Sequence, residues 1–114
     1  MQLANAVAAG ARRSLDFVSF TVPQDRSDEA YFAPIAQLTV DAGTELNFAL
    51  VPYHPETQPA GTTVAQIGQV DAALARSTAG ARSWGICTEC GMGRAHREDV
   101  PALLDLHRTI LASA

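Results

Sequence analysis

Both cysteines of the chain fall in one short run, Trp84-Gly85-Ile86-Cys87-Thr88-Glu89-Cys90-Gly91-Met92-Gly93-Arg94. A CxxC pair serves thiol–disulfide exchange when its first cysteine opens a helix, whose dipole lowers the thiol pKa. Here Cys87 falls in an apolar, strand-like run, and the next helical pattern begins only near Asp99. A self-contained structural zinc site needs four ligands, usually two such pairs. The chain offers one pair and the histidines His54, His96 and His107, of which His107 lies in a helical pattern. Gly91 and Gly93 do not complete a phosphate-loop or dinucleotide fingerprint. Glu89 and Arg94 stand beside Cys90 as candidate substrate contacts, or as an ion pair with each other. Further ionisable residues follow two other apolar runs: Asp25 and Arg26 after one, His54 after the other. Asp25 and Arg26 suit a polar ligand or mutual pairing, and His54 suits a base, a ligand or a solvated loop position.

The elements that must position these residues follow from the apolar pattern. Three runs read as strands, Asp16 to Val22, Glu45 to Val51 and Ser83 to Thr88, each ending in turn chemistry. Their near-continuous apolarity predicts parallel strands covered on both faces. Helical patterns cover about Gln2 to Arg13, part of Asp28 to Leu38 with Pro34 limiting its length, about Thr63 to Ser77, and about Asp99 to Ala112. Thr63 with Gln66 matches a capping box at the start of the third helix. Asp99 and Pro101 mark the start of the last, with Val100, Leu103, Leu104, Ile110 and Leu111 as its buried stripe. The expected order is α-β-α-β-α-β-α, one α/β layer system with a parallel sheet. In such folds the C-terminal strand tips share one side of the sheet and carry the site. The tips are Pro23-Gln24-Asp25-Arg26, Pro52-Tyr53-His54-Pro55 and Glu89-Cys90-Gly91.

Composition narrows the functional classes. The chain has 114 residues, 47% hydrophobic and 18% charged, enough to pack one core. Its net charge of −4 disfavours nucleic acid and anionic membrane as partners. All basic residues are arginines, which removes lysine chemistry. No apolar run reaches the roughly 20 residues of a membrane span, and the start is apolar then basic, the reverse of a signal peptide. The expected address is cytoplasmic, with the cysteines as thiols.

Four segments carry a family resemblance: "VPQDR" at 22–26, "YFAPIAQL" at 31–38, "ALVPYH" at 49–54 and "GICTECGMGR" at 85–94. In order and spacing they resemble a group of bacterial proteins with the motifs "VPRDR", "YFAPLADL", "GLVH" and "GVATECGFGRR". That group belongs to the superfamily of cobalamin-independent methionine synthase and uroporphyrinogen decarboxylase. The resemblance implies a (β/α)8 TIM barrel, of which this chain would be the C-terminal portion with the last three strands, since a whole barrel takes about 200–250 residues. It implies a small-molecule site at the strand tips involving Asp25, Arg26, His54, Glu89 and Arg94, and in the complete family fold methyl transfer to a zinc-bound thiolate. Cys90 matches the zinc-ligating cysteine of the synthases, whose other ligands lie on earlier strands. Gln24 stands where the group has arginine. A missing N-terminal half or a homo-oligomer would then cover the open sheet edges. The alternatives are a non-catalytic remnant or self-assembling subunit, and a small thiol- or zinc-binding module built on Cys87 and Cys90.

Overall fold

The computed structural model describes residues 1–54, 60–78, 80 and 82–114. Helix α1 spans Gln2–Gly10, strand β1 Phe17–Thr21, helix α2 Glu29–Phe32, and strand β2 Glu45–Val51. Helix α3 spans Ala60–Ala75, strand β3 Gly85–Thr88 and helix α4 Val100–Ser113. The chain is mixed α/β, with a parallel three-stranded sheet in the order β1-β2-β3 and flanking helices. Consecutive order means that the sheet has no reversal of strand order, and so no crevice of the doubly wound kind.

The two faces of the sheet are chemically unlike. Leu46, Phe48 and Leu50 of β2 are buried with Phe32, Ile35 and Leu38 from the α2 segment, Ile67, Val70, Ala73 and Leu74 of α3, and Ile110 of α4. Phe20 stacks on Phe48 with centroids 5.1 Å apart, and Trp84 meets Phe48 edge-on at 5.4 Å. Burying a side chain of this size contributes about 2–3 kcal/mol, so Phe48 is the centre of the core. On the alternate face Ser19, Asn47 and Gly85 lie in register, followed by Thr21, Ala49 and Cys87. None of these belongs to the hydrophobic cluster. The expectation of strands covered on both faces is therefore corrected: the helical layer lies against one face, and the other carries small and polar side chains. A Cβ at Gly85 would stand 2.3 Å from Asn47 Oδ1, so a larger residue there has to displace the Asn47 amide.

Most elements sit close to their sequence-expected bounds, with three differences. Pro34 lies in a 3-10 turn, Ala33–Gln37, that continues α2 and ends the helical stretch. Helix α3 starts before Thr63, so the expected capping box does not exist; both of its residues point into the fold. Helix α4 buries only Leu103 and Ile110, while Leu104 and Leu111 are exposed, because α4 touches the core along a narrow seam.

The N-terminal end of the sheet is tied by bonds to backbone carbonyls. Thr44 Oγ1 donates to Leu15 O at 2.8 Å, and Arg82 donates to the carbonyls of Asp41, Ala42 and Thr44. Helix α1 is held by one amide side chain: Asn5 Nδ2 donates to Gln37 O and Asn5 Oδ1 accepts from Thr39 N, both at 2.8 Å.

Candidate functional site

The parallel strands deliver their C-terminal tips to one end of the sheet, and a single carboxylate joins all three. Glu89, just past β3 and half-buried, accepts from Gln24 Nε2 at 2.7 Å and from Tyr53 N at 3.3 Å. Gln24 lies on the tip of β1 and Tyr53 on the tip of β2. Each oxygen of Glu89 takes one of these donors: Oε2 faces Gln24 and Oε1 faces Tyr53. A carboxylate oxygen has two acceptor positions, so both keep capacity for a further donor. Such a group binds a hydroxyl or an ammonium, or takes a proton.

Helix α3 supports this end from below. Gln66 Nε2 donates to Pro23 O at 3.1 Å and to Arg26 O at 2.7 Å, which pins the loop that carries Gln24. Thr63 Oγ1 donates to Leu50 O at 3.2 Å, at the last turn of β2. The pairing of β2 with β3 shifts between Ala49 and Val51, so that Val51 stands opposite Thr88. A bulge of this kind re-aims the residues that follow it, here Pro52 and Tyr53.

The sequence-expected site residues divide. Glu89 is at the junction. His54 lies beside it in sequence to Tyr53, the two rings meeting edge-on at 5.2 Å. Arg26 turns away from the junction: its guanidinium grips Asp28 at 2.6 and 2.9 Å and lies 4.8 Å from the Tyr31 ring centroid. The bond to Asp28 raises the Arg26 pKa, and the same bond holds the Asp28 carboxyl down at about 2. Asp28 also accepts from Tyr31 N at 3.1 Å and caps α2. Asp25 is exposed and adds a weaker attraction for Arg26. Arg94 is exposed on a 3-10 turn, Met92–Arg94, and no ion pair joins it to Glu89 among the described residues. Pro55, included in the β2 tip, lies outside the described residues.

Both cysteines are free thiols. Cys87 is half-buried in β3, and burial pushes its thiol pKa up. Cys90 is exposed, and its carbonyl accepts from Thr88 Oγ1 across the turn. Among the described residues no group of three His, Cys, Asp or Glu side chains gathers around a common point. The described residues alone therefore do not supply the four ligands of a zinc site.

Sequence reasoning missed Gln24, Tyr53 and Gln66. The available signal for Gln66 was a polar residue on the buried stripe of α3, next to Ile67 and Val70, where a polar group needs a fixed partner. Gln24 entered only as a member of the first strand tip and as the residue that stands where the resembling group has arginine. Its amide donates to the Glu89 carboxylate. No helix among the described residues is long and apolar enough to cross a membrane. No family model, curated protein or solved structure matches the chain.

Proposed function

We propose that the chain is the C-terminal portion of a (β/α)8 barrel of the methionine synthase and uroporphyrinogen decarboxylase kind, with part of a small-molecule site at its strand tips. Two features support the barrel reading. The strands follow in consecutive parallel order, and the helical layer lies against one face, as the outer ring of helices does in a barrel. The site reading rests on one observation, the Glu89 carboxylate that ties the tips of β1, β2 and β3 together.

In this reading Glu89 takes a hydroxyl or ammonium donor of the ligand, and Gln24 and Tyr53 N hold the carboxylate in place. Cys90, next in the chain, presents its thiol on the same loop. The family reaction, methyl transfer to a thiol, needs zinc to hold the acceptor as a thiolate. Of the described residues only Cys90 matches a ligand of that metal; the other ligands of the family set lie on earlier strands of the barrel.

The test is an amide NMR titration of the chain with homocysteine. The expected result is a set of shifts centred on Gln24, Tyr53 and Glu89, weakened at least about tenfold in affinity by Glu89→Gln, which loses a charge-assisted contact. Shifts that spread elsewhere, or that survive Glu89→Gln unchanged, would refute the site. Zinc content of the purified chain with and without Cys90→Ser tests the metal: equal content in both removes Cys90 as a ligand.

A further inference from the structure

The charge at the strand tips is one-sided. Glu89 is half-buried, and both of its donors, Gln24 Nε2 and Tyr53 N, are neutral. A carboxylate drawn partly out of water is ordinarily met by a cation. The basic residues of the chain are all arginines, and none of them forms an ion pair with Glu89 among the described residues. Arg26, two residues past Gln24, is held by Asp28 and lies against the Tyr31 ring. Arg94 is exposed on the turn that follows Glu89. Asp25, beside Gln24, is exposed and adds a second negative charge to the β1 tip.

We propose that Gln24 sets the charge preference of this site. Being neutral, it orients Glu89 without cancelling its charge, so the site takes a primary ammonium of the ligand in preference to a hydroxyl and turns away a carboxylate. This rests on the strand-tip reading above and adds the ligand class to it.

The geometry suits an ammonium. Glu89 Oε2 faces Gln24 and Oε1 faces Tyr53, and each oxygen keeps a further acceptor position. A primary ammonium has three N–H donors and can meet both oxygens at once, whereas a hydroxyl has one donor and meets only one. Hydrogen bonds between ionised partners are also about twice as strong as neutral ones. A hydroxyl would leave the carboxylate charge standing in a half-buried place. The donors on the protein side are fixed: Gln66 Nε2 holds Pro23 O and Arg26 O, on either side of Gln24, so the loop keeps the Gln24 amide against Glu89. An arginine at position 24 would hold Glu89 and cancel its charge; the glutamine does only the first.

The test is an amide NMR titration of the full chain, under reducing conditions, with three probes on one skeleton: 3-mercaptopropylamine, 3-mercaptopropanol and 3-mercaptopropionate. The amine should shift the amides of Gln24, Tyr53 and Glu89 and bind at least about tenfold tighter than the alcohol, with the acid weaker still. Glu89→Gln should bring amine and alcohol within about twofold of each other. Gln24→Arg should do the same. Gln24→Met, which removes the amide but adds no charge, should weaken both and keep their ratio. Dispersed amide spectra confirm that each variant is folded. In the unaltered chain, raising the salt from about 0.01 M to about 1 M should weaken the amine and not the alcohol. An amine and an alcohol that bind alike in the unaltered chain overturn the proposal, as does an amine affinity that salt leaves unmoved. A Gln24→Met variant that loses the preference overturns it too, since removing the amide alone then suffices. Homocysteine separates this failure from failure of the site. If it shifts the same three amides while amine and alcohol bind alike, the strand-tip reading stands and the charge preference falls; if none of the four ligands shifts them, both fall.

Discussion

Replacing Gln66 by leucine tests how the strand-tip end of the sheet is held. The Gln66 side chain is 1% exposed, and its amide nitrogen serves two carbonyls, Pro23 O at 3.1 Å and Arg26 O at 2.7 Å. Leucine keeps most of the volume, so the cavity contribution is small and the loss is polar. Each bond contributes about 1 kcal/mol net, with a further cost where a carbonyl stays dry. Pro23 and Arg26 are themselves exposed, so water recovers part of that cost. The expected loss is about 2 kcal/mol. Unfolding 114 residues carries an entropy of about 0.24 kcal/mol/K near the transition, so the melting temperature should fall by about 8 °C. Gln69→Leu is the control: Gln69, three residues on along α3, is only half-buried and donates to Ser27 O at 3.1 Å. It should change stability by less than about 0.5 kcal/mol. Thermal and urea unfolding by circular dichroism measure both. If the two variants lose the same amount, Gln66 does not anchor the loop, and the route from α3 to Gln24 and Glu89 is wrong.

Other outcomes follow from single contacts. Asp28 has its pKa held down to about 2 by Arg26, so its stabilising effect is present above the ordinary carboxylate value near 4 and is lost as pH falls toward 2. Asp28→Asn should therefore flatten the acid limb of a stability–pH curve in that window, and an unchanged limb would refute the pairing. Alkylation under native conditions should modify exposed Cys90 well before half-buried Cys87, and Cys90→Ser should remove the fast phase. Gly85→Val should cost about 1–3 kcal/mol through the clash with Asn47, and Asn47→Ala in the same chain should restore most of it; additive losses would refute the contact.

The strands were legible in the residue pattern because β-branched and aromatic runs end in proline and turn residues. Glu45–Val51 falls where the pattern sets it, since this central strand runs apolar and buried from Phe48 to Val51. The edge strands were misread as covered on both faces: Phe17 and Val18 look alike in sequence, but only the sheet order decides that Phe17 faces out. Helix α4 shows the same limit, since Leu104 and Leu111 repeat at helical spacing yet nothing in the described chain packs on them. Glu89 was visible as a polar tip residue, while its partners were not. Gln24 and Glu89 are distant in sequence, and only the parallel register brings their strand ends together. Arg26 was expected at the same junction, but a carboxylate two residues away captures it first.

The Asn5 clasp has a consequence for native-state dynamics. Helix α1 buries none of its residues fully, and among the described residues the Asn5 amide ties it to the body through Gln37 and Thr39. Local opening of α1 therefore breaks two hydrogen bonds and a shallow apolar contact, far less than the sheet would lose in global unfolding. Its backbone amides should exchange with deuterium earlier than those of β2, in one cooperative step.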